Sequence, residues 1–304
     1  MKRLAERLLA SRLAGLATAS WRRGARLVLA YHNVVATDDP PVHGDRSLHL
    51  PIHRFREQLD LLQRSAVRFV PVQAPLSPGA AHPEVAITFD DAYADAMAIA
   101  VPELAARGIP ATVFVAPGIL GTPAMWWDLL ALPPTGVMPP GVRERALEEH
   151  RGRHSEVVEA MVPGGLADDR LPPALRIATE TELAAALQLH PGLAVGAHTW
   201  SHPNLTRLAG GALEHELEEE LVRPLEWLRS RWRDRTVAWL AYPYGLASRE
   251  LVPAVERAGY SGSVLVQGGW QRPDSPAHST PRFNVSSGLS TPGLGARLNG
   301  FLTH

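Results

Sequence analysis

The feature that most constrains the fold of this 304-residue chain is a series of short apolar segments, most of them rich in Val, Ile and Leu. They lack the polar alternation of a strand with one solvated face, and they suit parallel strands that are covered on both sides. Helical patterns separate most of them, so we expect one α/β domain with a parallel sheet closed into a barrel. The predicted strands are Leu27–Tyr31, Arg68–Val72, Val85–Phe89, Ala111–Val115, Leu193–Ala197, Val237–Ala241 and Ser263–Val266.

The helices between these strands carry recognisable end signals. Gly108 and Gly259 each follow a helical pattern and fit the left-handed position past a helix C-terminus. A further helix, predicted from Ala212 onward, has acidic residues first and basic residues later, an order that complements the helix dipole. We expect Pro224 to kink or divide this helix.

One long segment interrupts the alternation of strands and helices. Residues 116–180 are rich in Pro and Gly and contain a single charged helical stretch, 142–161. We interpret them as an insertion over the barrel. The predicted organisation is therefore a basic amphipathic N-terminal helix at 1–25 and one domain at 26–304 that carries the insertion.

The N-terminal segment stands apart in charge. Residues 1–26 hold seven basic residues and one acidic residue, with leucines at helical spacing. Arg12 interrupts the one apolar stretch that resembles a secretory signal, and no stretch is long enough to span a bilayer. A helix lying on an anionic membrane and a helix packed on the domain with a solvated basic face fit the pattern equally well. We expect a cytoplasmic protein or one in peripheral contact with a membrane.

The composition argues against several classes of function. The chain has 30 basic and 31 acidic residues, so nucleic acid is not an expected partner. It has no cysteine, which excludes disulfides, thiolate catalysis and cysteine-ligated metals. Thirteen histidines leave nitrogen ligands available.

Unusual polar residues follow four of the predicted strands. In α/β barrels the carboxyl ends of the strands carry the active site, so we expect these residues to converge. They are His32, the pair Asp90 and Asp91, the pair His198 and His202, and the run Tyr242-Pro243-Tyr244-Gly245.

Two of these groups together suggest a metal site. His198 and His202 are four residues apart, close enough to share a metal, and Asp91 adds a carboxylate from another strand end. Two imidazoles and one carboxylate leave an open position, as a catalytic zinc requires. Both aspartates are possible ligands, and an Asx turn is a structural alternative. We favour a division of labour in which Asp91 binds one divalent ion, best matched by zinc, and Asp90 removes a proton from water.

These residues resemble the first two motifs of the polysaccharide deacetylases, the NodB-type carbohydrate esterases. The motifs in this chain are Thr88-Phe89-Asp90-Asp91 and His198-Thr199-Trp200-Ser201-His202, and Ala241-Tyr242-Pro243-Tyr244-Gly245 resembles the third. The resemblance spans roughly residues 26–290 and implies a distorted (β/α) barrel. It also implies metal-dependent removal of acetyl groups from an acetylated polysaccharide or oligosaccharide.

The resemblance also implies residue roles. By it, Asp90 is the base, Asp91, His198 and His202 are the metal ligands, and the backbone N–H of Tyr244 helps to hold the developing oxyanion. We further expect Tyr242, Pro243, Trp200 and Trp127 to contact the substrate.

The chain departs from the family pattern at several positions. Ala92 stands where Gly is usual, so the turn after Asp91 must accept a Cβ atom. Ala241 replaces the arginine that orients the catalytic aspartate, and we expect Arg282 to take its place. The C-terminal motif that supplies the general acid is not visible, and His32 at the end of the first strand is our candidate for that role.

The predicted function is hydrolysis of acetyl groups, with N-acetylhexosamine units as the expected target. An O-acetyl esterase, a deformylase on a lipid-linked sugar and a catalytically impaired carbohydrate-binding relative are the alternatives. A non-haem iron oxygenase would also use two histidines and a carboxylate, but the strand–helix alternation argues against it.

Overall fold

The computed structural model describes residues 2–37, 43–77, 79–163, 171–208 and 214–301. Ten strands and twelve α-helices alternate along these ranges. The strands are β1 (Arg26–Tyr31), β2 (Asn33–Val35), β3 (His49–Pro51), β4 (Arg68–Phe69), β5 (Glu84–Asp90), β6 (Ala111–Val115), β7 (Leu193–Ala197), β8 (Thr236–Ala241), β9 (Gly262–Val264) and β10 (Phe283–Asn284). The helices are α1 (Lys2–Leu9), α2 (Arg12–Ala17), α3 (Ala19–Arg22), α4 (Ile52–Arg64), α5 (Val101–Ala106), α6 (Trp126–Leu130), α7 (Val142–Glu149), α8 (His154–Met161), α9 (Glu180–Leu189), α10 (Glu214–Trp232), α11 (Val252–Arg257) and α12 (Thr291–Leu298).

The main sheet is wholly parallel, as the apolar segments predict. Its strands follow the order β10-β1-β5-β6-β7-β8-β9, and β4 pairs with the beginning of β5. An isolated parallel bridge joins Val264 to Thr280, so the segment that leads into β10 lies beside β9 and brings the two ends of the sheet together. The distorted barrel expected from the sequence is therefore confirmed.

Alternate residues of each strand face the inside of the barrel and the surrounding helices. Ala86 belongs to a small interior cluster with Val28, Phe114 and Val264, whereas Val85 belongs to the larger apolar core outside. The interior side of β5 therefore continues from Ala86 through Thr88 to Asp90. This alternation directs the Asp90 carboxylate into the barrel rather than toward the helices.

Several helices differ from the sequence expectation. The N-terminal segment forms three short helices, α1 to α3, and not one helix, because Ser11 and Thr18 occupy cap positions between them. The stretch 142–161 divides into α7 and α8, since Arg151 and Gly152 between them have left-handed backbone angles. The helix α10 continues through Pro224, which is buried against the sheet. Gly108 and Gly259 have positive φ angles, which confirms their predicted conformation.

No helix within the described ranges is long and apolar enough to cross a bilayer. The beginning of the helix predicted from Ala212 lies outside the described residues, and α10 begins at Glu214.

Candidate active site

A pocket of about 270 Å³ opens at the carboxyl edge of the parallel sheet. It collects residues from the ends of β1, β5, β7 and β8, as expected from the chain order of the polar strand ends. Trp127 and Arg143, from the segment between β6 and β7, form a further wall. The lining residues that matter for the chemistry are His32, Asp90, Asp91, His198, His202, Tyr244, Trp127 and Arg143.

Asp90 is held by a two-pronged contact with Arg282. The two guanidinium nitrogens Nη1 and Nη2 each donate to one carboxylate oxygen of Asp90 at 2.7 Å. The same guanidinium donates through Nε to the carbonyl of Leu265 at 3.0 Å and lies 3.2 Å from Thr88 Oγ1. Both members of the pair are buried. The structure thus brings Arg282 into contact with Asp90. Position 241, where the family motif has an arginine, is an alanine in this chain.

This contact fixes the charge of Asp90. Burial by itself raises the pKa of the carboxyl, but Arg282 and His198 lower it more, so the pKa of Asp90 lies well below its usual value. Asp90 is therefore ionised at neutral pH and able to accept a proton.

Asp91, His198 and His202 meet at a single point. The Nε2 atoms of the two imidazoles are 3.1 Å apart, and Asp91 Oδ1 lies 3.2 Å from His202 Nε2 and 3.6 Å from His198 Nε2. Ligand atoms about 2.0–2.1 Å from a tetrahedral zinc ion lie about 3.3 Å from one another. The three separations therefore match three corners of a tetrahedron, with the fourth corner open.

The hydrogen bonds and charges around this cluster also fit a cation. Nδ1 of His198 lies 2.7 Å from the carbonyl of Ala241, so Nδ1 carries the proton and Nε2 presents its lone pair to the cluster. Burial lowers the pKa of His202 to about 3 and lowers that of His198, so both rings are neutral at pH 7. Burial also raises the pKa of Asp91 to about 6, and its Oδ1 has no hydrogen-bond partner. A buried carboxylate oxygen of this kind gains most from a bound metal ion.

Left-handed backbone conformations concentrate at this pocket. Seven residues other than glycine have positive φ among the described ranges, and five of them lie at or beside the pocket. Such conformations cost free energy and persist only where the surrounding structure holds them. The five are Asp91, Ala92, Thr199, His202 and Tyr244. Ala92, at φ 57°, shows that the turn accepts a Cβ atom where the family has Gly.

A buried glutamate anchors the loop between the two histidines. Glu220 on α10 accepts the backbone N–H groups of Trp200 and Ser201 at 2.9 and 2.8 Å and the Ser201 hydroxyl at 2.5 Å. Thr199 Oγ1 accepts the N–H of His202 at 3.1 Å. These bonds hold the loop in its strained shape and aim both imidazoles at Asp91. Sequence reasoning missed Glu220, because it is one of several acids in the same helical run.

The carboxylate of Asp128 organises the opposite side of the pocket. Its Oδ2 accepts the hydroxyl of Tyr93 at 2.7 Å, and its Oδ1 lies 3.0 Å from His49 Nε2. Tyr93 in turn accepts the indole N–H of Trp127 at 2.8 Å. All four side chains are buried, so Trp127 is a fixed wall of the pocket. In the sequence, the only indication of this hydrogen-bond network was that Asp128 directly follows Trp127.

His32 lines the pocket near both aspartates. It follows β1, and Asn33 beside it is fixed by a 3.1 Å contact between its Nδ2 and His49 Nδ1. Burial lowers the pKa of His32, whereas the charges of Asp91 and Asp90 raise it. The imidazole therefore lies in the pocket lining and is not one of the three residues that could share a metal ion.

The predicted substrate contacts separate into two groups. Trp127 and Tyr244 line the pocket, and Tyr244 is fixed by its hydroxyl, which donates to the carbonyl of Gly152 at 2.6 Å. Tyr242 and Pro243 are instead buried in the packing behind the pocket. Trp200 packs under Arg223, whose guanidinium carbon lies 3.6 Å from the ring centroid. Trp200, Tyr242 and Pro243 therefore lie outside the pocket lining.

The fold is an α/β barrel with a pocket of carboxylates and imidazoles at the carboxyl edge of its sheet. A family model described as "Polysaccharide deacetylase" matches residues 79–263, which is more than half of the chain. The chain belongs to the polysaccharide deacetylase family, whose members hydrolyse linear amide bonds and are generally metal-dependent. No match was found among curated proteins.

Solved structures share the fold at low sequence identity. The deacetylase PplD from Streptococcus pyogenes, in complex with acetate, is 17% identical with a TM-score of 0.58 over 89% of this chain and 96% of that chain. IcaB from Ammonifex degensii is 19% identical with a TM-score of 0.61 over 90% and 97%. BC0361, a polysaccharide deacetylase from Bacillus cereus, is 14% identical with a TM-score of 0.62 over 90% and 69%.

Proposed function

We propose that this protein removes N-acetyl groups from an acetylated polysaccharide or oligosaccharide, with Asp90 as the general base. The observation that carries the proposal is the adjacency of two different carboxylates in one pocket. Asp91 and two neutral imidazoles are arranged as the ligands of one metal ion would be. Asp90, in contrast, is paired with Arg282 and stays ionised. A single divalent ion, with zinc as the best match to the ligand types, fits the Asp91, His198 and His202 cluster.

A metal ion bound there would polarise the acetyl carbonyl and lower the pKa of the attacking water. The residues of the chain supply the proton transfers. Asp90 accepts the proton that the water loses as its oxygen bonds to the carbonyl carbon. Arg282 keeps Asp90 oriented and ionised until that step. The backbone N–H of Tyr244, on the pocket wall, is proposed to donate to the carbonyl oxygen as negative charge develops.

His32 is proposed to deliver a proton to the leaving nitrogen as the carbon–nitrogen bond breaks. Its lowered pKa means that the ring is neutral in the resting pocket, so it must first take up a proton. Asp90 has a far lower pKa than His32, so it passes on to His32 the proton that it accepted from water. The products are acetate and a free amine on the sugar.

We also propose that residues 26–304 form the catalytic domain and that the insertion at 116–180 shapes its substrate pocket. Trp127 and Arg143 come from the insertion and line the pocket together with residues of the strand ends. Trp127 is fixed through Tyr93, so it offers a rigid apolar surface for a sugar ring or an acetyl methyl group.

The test is release of acetate from a panel of acylated sugars by the full-length protein loaded with zinc. We expect release from oligomers of N-acetylglucosamine, and loss of turnover by at least about 100-fold in Asp90→Asn with zinc binding retained. Release only from O-acetylated sugars would indicate an esterase, and release of formate only from N-formyl sugars would indicate a deformylase. Zinc binding without turnover on the whole panel would contradict the proposal and point to a carbohydrate-binding relative.

A further inference from the structure

Four leucines of the N-terminal segment are exposed to solvent, whereas the polar side chains of Glu6 and Arg22 are buried against the protein. Leu4 and Leu8 lie one turn apart on α1 and are 65% exposed, and Leu13 and Leu16, one turn apart on α2, are 79% and 72% exposed. We call these four residues the leucine face. Exposed apolar clusters of this kind mark interaction sites, because leaving them in water is unfavourable.

Polar contacts on the inner side hold the segment in this orientation. Glu6 is buried and accepts the hydroxyl of Ser290 at 2.7 Å, next to α12. Asn299 donates to the carbonyl of Leu9 at 2.8 Å, and Thr18 donates to the carbonyl of Asn299 at 2.6 Å. The segment is therefore fastened to the body of the protein with the leucine face directed outward.

The charge around the leucine face is strongly positive. Residues 1–26 hold seven basic residues and one acidic residue, and three of these, Glu6, Arg22 and Arg26, are buried, which leaves five basic residues and no acid to interact with a partner. Arg7 and Arg23 are exposed on the same segment. The rest of the chain has the opposite balance, 23 basic against 30 acidic residues. An anionic surface would therefore attract this segment and repel the remainder of the molecule.

We propose that the leucine face docks on an anionic lipid bilayer. Its leucines would enter the boundary between headgroups and acyl chains, and the basic residues beside them would bind lipid phosphates. Charge complementarity favours this occupant over a second copy of the chain, because two copies meeting at this face would bring like charges together. The protein would then act at a membrane surface, with the acidic body held away from the lipid.

Vesicle flotation with the full-length protein tests this proposal. We expect binding to phosphatidylcholine vesicles that contain phosphatidylglycerol, weaker binding at high salt, and little binding to phosphatidylcholine alone. The double variant Leu8→Ser/Leu13→Ser should lower the partition coefficient by at least about tenfold. The double variant Arg7→Gln/Arg23→Gln should lower it by about tenfold on the anionic vesicles.

A matched control changes two exposed leucines elsewhere on the protein. Leu132→Ser/Leu189→Ser removes the same apolar groups from residues that are 53% and 55% exposed, and it should leave vesicle binding unchanged. All three variants alter exposed side chains, so their thermal unfolding should match that of the wild type. Wild-type protein that stays unbound, or a Leu8→Ser/Leu13→Ser variant that binds as well as the wild type, would overturn the proposal. Self-association lost in that variant, without vesicle binding, would instead identify a contact between copies.

Discussion

Arg282 has both a structural and a chemical consequence at the scale of single residues. A buried carboxylate without a partner is costly, so Asp90 depends on the guanidinium for its place in the barrel. The fork of Nη1 and Nη2 also sets the direction of the carboxylate, since each nitrogen binds one oxygen. Charge and direction can be separated by substitution.

Arg282→Lys keeps the positive charge and removes the fork. We expect kcat for deacetylation to fall by about 100-fold with little change in KM, because a small misplacement of the base is costly to catalysis and not to substrate binding. Steady-state kinetics on acetylated oligosaccharides measure the two constants. An unchanged kcat in Arg282→Lys would show that orientation by the guanidinium is unimportant.

Removal of Arg282, alone or together with the charge of Asp90, tests what this ion pair contributes to the stability of the fold. Arg282→Met should destabilise the fold by about 3–5 kcal/mol, since it leaves Asp90 buried and unpaired. Arg282→Met combined with Asp90→Asn should be more stable than Arg282→Met alone, because no uncompensated charge remains. Urea unfolding of the single and double variants provides the comparison. A double variant less stable than Arg282→Met would contradict the ion-pair interpretation.

The burial of His154 predicts that the stability of the fold depends on pH. It is buried, both ring nitrogens lack a hydrogen-bond partner, and burial lowers its pKa from 6.5 to about 4. The unfolded chain therefore binds a proton at a pH where the folded protein does not. We therefore expect stability to be lost as pH falls below 6.5, by about 2 kcal/mol between pH 7 and pH 5 for this one residue.

His154→Leu should remove that part of the pH dependence. Leucine leaves no unpartnered nitrogen and cannot bind a proton, so its free energy of unfolding should fall less between pH 7 and pH 5 than that of the wild type. Urea unfolding of both proteins in a chelator, which keeps metal binding out of the comparison, measures the difference. An equal fall in both proteins would assign the pH dependence to other groups.

At the scale of elements, α10 and the loop at 198–202 form one unit. Glu220 binds this loop from the helix, and Arg153 of the insertion lies 3.8 Å from the same carboxylate. Glu220→Gln should weaken zinc binding by about 10- to 100-fold, because the loop would hold the two histidines less firmly. Glu219→Gln, an exposed neighbour on the same helix, is the matched control and should leave zinc affinity unchanged. Titration with a competing chelator measures both affinities, and equal losses would contradict a positioning role for Glu220.

The helices and strands show which features could be predicted from the sequence and which could not. Asp90, Asp91, His198 and His202 were predictable because each pair sits in a short motif directly after an apolar strand. The course of α10 was not, since Pro224 normally interrupts a helix, whereas here it is buried inside a continuous helix that packs against β7 and β8. The breaks between α1, α2 and α3 were not predicted either, although Ser11 and Thr18 at the cap positions were a local signal for them. Glu220 and Asp128 are single acids whose importance comes from the partners that the fold brings to them.

At the scale of the whole molecule, metal binding should stabilise the fold. A ligand at about 100 times its Kd adds about 2.7 kcal/mol to the free energy of unfolding when only the folded state binds it. Zinc should therefore raise the melting temperature of the wild type by several degrees. The same shift should persist in Asp90→Asn and disappear in Asp91→Asn. A shift lost in both variants would show that both aspartates are ligands.

The closure of the sheet determines when, during synthesis of the chain, Asp90 gains its counterion. Asp90 and Arg282 are separated by 192 positions, and Arg282 arrives with the segment that joins β9 to β1. A chain emerging from the ribosome contains Asp91, His198 and His202 well before residue 282 is synthesised. These three residues can come together first, while Asp90 still lacks its counterion. The ion pair that neutralises Asp90 is thus delayed until the segment that carries Arg282 has been made and β10 has paired with β1.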